Sequence, residues 1–130
     1  MYCKAMTTPM ASNLKLLNDA SSESVDATMY RQMIRSLMYL MNTRLDICFV
    51  VNTLSQFLTD LRQVHLIATN HILRYLKVTV DYGIKYDANQ NINLHGYFES
   101  NWASSATDRK STSGCCFSLG SGMISWFSRK

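Results

Sequence analysis

The residues best suited to chemistry lie in the C-terminal half, where Glu99 ends an alternating run and is followed by a polar turn. A carboxylate at a strand end can hold a divalent cation. Two-metal phosphodiester cleavage needs several carboxylates, because two cations about 3.5–4 Å apart must both be held. The sequence offers Glu99, with Asp108 in a nearby polar stretch, and two carboxylates do not complete such a site. A basic line is the second feature: His71, Arg74 and Lys77 recur three apart within a helical pattern. Phosphate contact is one reading of it, and a solvated face whose cations favour a helix C-terminus is the other. The histidines His65, His71 and His95 have neither HExxH nor zinc-finger spacing. A solvated or capped histidine is expected at each of the three. The cysteines Cys3, Cys48, Cys115 and Cys116 form no CxxC pair, and on a strand Cys115 and Cys116 point to opposite faces. Reduced, structural cysteines of an intracellular protein are expected. There is no glycine-rich phosphate loop, no nucleophile elbow, and no histidine or cysteine metal motif.

These residues need elements to position them. Residues 1–25 are polar and broken, with Thr7-Thr8-Pro9 and Ser21-Ser22-Glu23-Ser24 reading as extended loop and Leu14, Leu16 and Leu17 the only apolar anchors. From Asp26, a plausible N-cap, the residues Tyr30, Met33, Ile34, Leu37, Met38 and Met41 recur at helical spacing. A second helix is predicted from Thr43, where Thr43-Arg44-Leu45-Asp46 resembles a capping box, with Ile47, Val50, Val51, Leu54 and Phe57 as its buried stripe. A third runs from about Arg62 to Lys77 on Val64, Ala68, Ile72, Tyr75 and Leu76, widened by Leu73. After Thr79 the period falls to two: Tyr82, Ile84 and Tyr86 alternate with polar residues, and Asn89-Gln90-Asn91 makes a turn. Ile92, Leu94, Gly96 and Phe98 then share one strand face, with His95, Tyr97 and Glu99 on the other. Residues 103–113 read as loop. Cys115–Leu119 and Met123–Ser128 read as strands joined by Gly120-Ser121-Gly122. Helices followed by antiparallel strands argue an α+β fold.

Composition sets the outer bounds. A chain of 130 residues, 47% hydrophobic and 17% charged, is globular rather than disordered. No stretch reaches the ~18 apolar residues of a membrane span, and no secretory signal is expected in Met1–Ala20. A net charge of +4 and a pI near 9.0 mildly favour an anionic partner such as nucleic acid.

The ordered motifs are more specific than the chemistry. Tyr30-Arg31-Gln32-Met33-Ile34 with Ser36-Leu37-Met38-Tyr39-Leu40 is similar to YRxLxGSLxYL of copia-type retrotransposon Pol polyproteins. Thr43-Arg44, Asp46-Ile47 and Val51-Asn52 resemble TRPDI…AVN, and His65 with Ile72-Leu73-Arg74-Tyr75-Leu76-Lys77 resembles H…LRYLKGT. Gly96-Tyr97, Ser100 and Trp102-Ala103 resemble GYxDSDWA, while Asp108–Gly114 and Ile124-Ser125-Trp126 resemble DRKSTSG and ISW. Thr8-Pro9-Met10 is similar to the TPM that precedes this region. The likeness covers essentially the whole chain in unbroken order.

That resemblance implies a domain plan: a loop region over 1–25, reverse transcriptase thumb and connection helices over 26–80, and the first three strands of a truncated ribonuclease H-like antiparallel sheet over 81–130. It places the first metal-binding Asp of the family on Glu99, a vestigial catalytic and metal position, and the neighbouring motif Asp on Asn101. The remaining carboxylates would follow Lys130, so no cofactor is expected for this segment, although the intact family enzyme uses Mg²⁺. Arg35, Leu45, Val78 and Ser104 stand where the family has Gly, Pro, Gly and Gly. Arg35 is expected to disturb close helix packing, and Val78 to be costly if the helix ends in a left-handed residue.

The expected function is that of a Pol fragment without catalysis of its own, the ancestral activities being RNA-directed DNA synthesis and cleavage of RNA in RNA–DNA hybrids. Any contact with hybrid or other nucleic acid is expected to be weak, through Arg74, Lys77, Ser100, Asn101, Arg109, Lys110, Ser111 and Thr112. No membrane and no small-molecule substrate is expected. The Cys115–Ser128 hairpin is expected to expose Ile124 and Trp126 on one face, with Met123 and Phe127 bordering the other, and so to self-associate through its sheet edges. The alternatives are a nucleic-acid-binding module that has lost cutting, and a protein-interaction fragment, secreted or host-recruited.

Overall fold

A computed structural model describes residues 4–12, 26–101 and 111–129. Three helices precede three strands: α1 (Ala27–Leu40), a single 3₁₀ turn (Leu45–Ile47), α2 (Cys48–Ser55), α3 (Gln63–Val78), β1 (Leu94–Asn101), β2 (Thr112–Leu119) and β3 (Gly122–Arg129). The α+β expectation agrees with this order. No described helix is long and apolar enough to cross a membrane.

Asp26 caps α1, its carboxylate accepting from Thr28 N at 2.9 Å. The buried stripe of α1 is Tyr30, Ile34 and Leu37; Met38 is exposed and Met41 only partly buried, so the stripe is narrower than predicted. Arg35 also faces outward, where a long side chain disturbs no packing. Ile47, Val50, Val51 and Leu54 meet α1 and the α3 residues Ala68, Ile72 and Tyr75 in one helical core. Leu73 is exposed, opposite to its predicted role. Met6 and Met10, not counted among the apolar anchors of the N-terminal segment, pack against this core; the expected anchors Leu14, Leu16 and Leu17 lie outside the described residues.

Polar groups inside the helical core are paired. The Tyr30 hydroxyl donates to Leu54 O at 2.9 Å, and burial pushes its pKa up to about 12. His65 is fully buried: its Nδ1 accepts from Arg62 N at 3.0 Å and its ring stacks on Phe57 at 4.2 Å. His65 is therefore not the solvated histidine that its spacing left open; it caps the start of α3 from inside the core.

The predicted capping box at Thr43 does not form. Thr43 Oγ1 donates backward to Leu40 O at 3.1 Å, and the chain passes through the 3₁₀ turn before α2 begins five residues later. Leu45 opens that turn, the kind of position a proline suits. Asp46 is recruited elsewhere. Arg44, almost fully buried, forks onto it with Nε–Oδ1 at 3.0 Å and Nη2–Oδ2 at 2.8 Å. The same guanidinium donates to Thr79 O at 2.9 Å and Thr79 Oγ1 at 2.8 Å, and Tyr75 OH donates to Asp46 Oδ2 at 2.5 Å. Arg44 also lies 5.8 and 5.9 Å from the ring centroids of Tyr75 and Tyr82. This arrangement ends α3: Thr79 N turns back to Leu76 O, with Thr79 at φ −120°. No left-handed residue is used, so the expected penalty at Val78 does not arise.

The sheet is antiparallel in the order β1-β2-β3, with Leu94 opposite Leu119 and Asn101 opposite Thr112. Leu119 pairs with Gly122, so the predicted three-residue link is a two-residue turn, Gly120-Ser121. Gly120 has φ +60°, as the first central residue of such hairpin turns requires. Thr112 and Ser113 belong to β2 rather than to the preceding loop. The alternation at Tyr82, Ile84 and Tyr86 makes no strand. These residues cross the start of β3 instead, where Tyr86 OH donates to Met123 O and a Cβ on Gly122 would lie 2.6 Å from the Tyr86 ring. Trp126 is half-buried against the helices, donating Nε1–H to Met41 O at 2.8 Å, and Asn52 Nδ2 donates to Ser128 O at 2.9 Å. The expected exposure of Trp126 is therefore corrected, while Ile124 and Phe127 are exposed.

Two predictions follow from the Arg44 cluster. Arg44→Ala removes a charged fork and strands the Thr79 carbonyl, and is expected to lower unfolding stability by about 2–4 kcal/mol. Arg44→Lys recovers only part of this, because an ammonium cannot make the fork. Urea unfolding midpoints decide the order. The hydrogen bonds from Arg44 hold the Asp46 carboxyl below the ordinary carboxylate range, assisted by Tyr75 and opposed by burial. A lowered folded value gives stability that is present above about pH 4 and lost as pH falls through the folded value. Acid titration of unfolding should show that loss, and Asp46→Asn should flatten it.

Candidate functional site

Register carries the sequence-predicted carboxylate to the end of the sheet. Glu99 is opposite Gly114 and Ser100 opposite Ser113; Asn101 and Thr112 close the pairing. Glu99, Ser100 and Ser111 are exposed. The fold thus brings Glu99, Ser100, Asn101, Ser111 and Thr112 to one end of β1 and β2. Arg109, Lys110 and Asp108 lie outside the described residues. No group of three or more His, Cys, Asp or Glu residues able to hold a metal occurs among the described residues. The described side chains around Glu99 therefore do not fit a two-cation centre, whose ions need several carboxylates between them.

The basic line sits on a different element. Arg74 and Lys77 are on α3, which packs on α1, whereas β3 packs on α2. Lys77 is exposed in the last turn of α3, where its charge favours the helix terminus. Arg74 Nε donates to Lys4 O at 2.8 Å, and His71 Nε2 lies 2.8 Å from Thr8 O. Two of the three members of that line thus clip the N-terminal segment to the helix. His95 is exposed on β1.

A cleft of about 360 Å³ runs between α2 and the sheet, with Leu45, Cys48 and Phe49 on one wall and Tyr97, Cys116 and Trp126 on the other. Glu99 stands at its border. The cleft exists because Gly114 and Ser128, in register with Glu99, offer little side chain to fill it. Burial pushes the Cys48 thiol above its ordinary pKa, and burial does the same at Cys115. A raised pKa means less thiolate, so neither geometry suggests an activated nucleophile. Cys48, Cys115 and Cys116 are unbridged. The cleft was missed from sequence because its walls come from residues far apart in the chain; the adjacency of Gly114 to two small-to-medium cysteines was the one local sign of spare volume.

Comparison with known proteins gives a consistent answer. No protein-family profile matches the chain, and no solved structure matches it. The chain is 42% identical over 127 residues to the retrovirus-related Pol polyprotein from transposon RE1 of Arabidopsis thaliana, covering 98% of this chain and 9% of that protein. It is 39% identical over 130 residues to the corresponding polyprotein from transposon RE2 of the same plant, covering 100% of this chain and again 9% of the relative. It is also 39% identical over 102 residues to secreted RxLR effector protein 161 of Plasmopara viticola, covering 78% of this chain and 72% of that protein. The chain thus spans about a tenth of the two polyproteins it matches from end to end. With this unbroken likeness, the chain belongs to the family of retrovirus-related Pol polyproteins of transposons.

Proposed function

We propose that the chain is a noncatalytic Pol segment, with residues 26–80 corresponding to thumb and connection helices of a copia-type reverse transcriptase and residues 81–130 to the first strands of a ribonuclease H-like domain. The observation that carries this reading is the setting of Glu99. It occupies the position that the family resemblance gives to the first metal carboxylate, where this chain carries Glu in place of Asp, with Asn101 in place of the neighbouring motif Asp, and it is exposed near the end of β1. Mg²⁺, where the intact family enzyme binds it, supplies the charge that activates water and steadies the leaving oxygen. Here Glu99 alone does not provide that centre.

Residual affinity for an RNA–DNA hybrid or other nucleic acid is proposed to rest on phosphate contacts from Arg74, Lys77, Arg109 and Lys110, with Ser100, Asn101, Ser111 and Thr112 as polar neighbours. Because Arg74 Nε is bonded to Lys4 O, a phosphate contact from Arg74 uses its terminal nitrogens. We place this binding inside the cell, in keeping with the unbridged cysteines. A second reading, a protein-interaction fragment, is favoured by the likeness to a protein named as a secreted effector and by the exposed apolar residues of the sheet.

The expected outcome with purified chain, Mg²⁺ or Mn²⁺ and a labelled RNA–DNA hybrid is no cleavage, and the double reversion Glu99→Asp with Asn101→Asp is expected not to create any. Metal-dependent cutting that disappears in Glu99→Ala would sink the noncatalytic reading. Hybrid binding should weaken with salt at a log–log slope near −0.9 per phosphate neutralised. Lys77→Ala and Lys110→Ala should each reduce that slope by about one contact's worth. Tight capture of a protein partner, indifferent to salt and to these lysines, would favour the second reading instead.

A further inference from the structure

Residues 4–10 are held to the helices by alternating grips and anchors. The Lys4 carbonyl accepts from Arg74 Nε at 2.8 Å, Met6 packs on the core, the Thr8 carbonyl lies 2.8 Å from His71 Nε2, and Met10 packs on the core again. Thr8 Oγ1 donates to Met10 O at 3.1 Å, which fixes the turn between the last grip and the last anchor. Because Lys4 meets Arg74 and Thr8 meets His71, this strap runs antiparallel to α3. Its Lys4 end is therefore directed toward the last turn of the helix, where Lys77 is exposed. Any residue could offer the carbonyl that Arg74 grips. What lysine adds at position 4 is an ammonium, and Lys4 is exposed.

Three cations are thus collected from two distant parts of the chain. Arg74 and Lys77 stand three residues apart, neighbours on one helix surface, and the clip holds the backbone of Lys4 against the first of them. No carboxylate offsets them locally: residues 4–12, α1 and α3 contain neither Asp nor Glu. The ion pairs among the described residues are Arg44–Asp46 and Arg62–Asp60, which involve none of the three. Like charges held together repel, and an anion with several oxygens relieves that repulsion.

We infer that Lys4, Arg74 and Lys77 form one phosphate-binding patch for a nucleic-acid strand, complete only while the strap is docked. The inference rests on the nucleic-acid reading above and adds to it a contact, Lys4, and a condition, the docking of Met6 and Met10. Arg74 contributes the planar terminal nitrogens left free by its bond to Lys4 O, while Lys4 and Lys77 flank it as point charges. An undocked Lys4 would have to be ordered at each binding event, at a cost in chain entropy. The apolar contacts of two methionines thereby decide whether a cation 70 residues from Arg74 in sequence reaches the site.

The test is fluorescence anisotropy of a labelled RNA–DNA hybrid titrated with the full chain over a range of salt. Lys4→Ala is expected to lower the log–log salt slope by about 0.9, one phosphate's worth, which near 0.15 M salt is roughly a fivefold loss of affinity. Met6→Gln with Met10→Gln leaves every charge in place but sets amides against an apolar core. It should produce the same loss, and adding Lys4→Ala to it should cost nothing more. A glycine inserted after Ala5 gives a second route, since it moves Lys4 out of step with Arg74 while both methionines can stay docked; it too should match Lys4→Ala. Should the glutamine pair lower the helical circular dichroism, the insertion and Lys4→Ala decide alone. If the parent chain shows no salt-dependent binding, the nucleic-acid reading falls and this inference with it. If Lys77→Ala weakens binding and Lys4→Ala does not, or if the Lys4 loss adds in full to that of the glutamine pair or the insertion, this inference alone is overturned.

Discussion

Everything in the helical half depends on where one buried guanidinium finds its partners. Arg44 sits in the corner between α1 and α2 and reaches the last turn of α3, bonding Asp46 on its own side and both oxygens of Thr79 on the other. Isolated, such a cation would be costly to bury; forked onto a carboxylate and bonded to both oxygens of Thr79, it makes four hydrogen bonds. The planar fork also sets direction. Because the donors leave the guanidinium at fixed angles, the corner and the helix end can meet in only one way, and Tyr75 closes the ring by donating to the same carboxylate. The apolar core of Tyr30, Ile34, Leu37, Ile47, Leu54 and Ile72 supplies most of the attraction between the helices, and the Arg44 cluster selects the alignment.

The sheet depends on the helices far more than they depend on it. Among the described residues, the one buried apolar side chain it adds is Cys115, and its attachment is made by Trp126 to the Met41 carbonyl and by Asn52 to the Ser128 carbonyl. Both bonds touch β3, and β2 lies between β3 and β1. That asymmetry explains how Glu99 can sit in regular backbone and still be solvent-facing, and why a cleft opens between α2 and the strands instead of a packed second core.

The elements with strong periodicity were legible: α1 with its Asp26 cap, α3 almost to its ends, and the β2–β3 hairpin around Gly120. Two features were not. Thr43 and Asp46 have the spacing of a capping box, but spacing cannot show that Arg44 lies between them with Thr79 within reach, and a buried cation outcompetes a cap for a carboxylate. The Tyr82–Tyr86 alternation reads as a strand because every second residue is apolar. Those residues meet a backbone oxygen of β3 and the open space over Gly122, so they are satisfied without a ladder. At the candidate site, the strand that carries Glu99 was legible but the place of Glu99 on it was not: the sequence reading ends the strand at Glu99, and β1 runs on to Asn101 with Ser100 and Asn101 still paired to β2. The cleft beside it depends on helix–sheet geometry that no local pattern encodes.

The clip on the N-terminal segment has a consequence for how this stretch can change over time. Arg74 and His71 grip main-chain oxygens at Lys4 and Thr8, and every amino acid supplies such an oxygen. Lys4 and Thr8 are therefore free to drift with little loss of docking. The selective burden falls on Met6 and Met10, whose side chains reach the core, and on the number of residues between the two gripped carbonyls. A single inserted residue there would do more harm than replacement of either side chain.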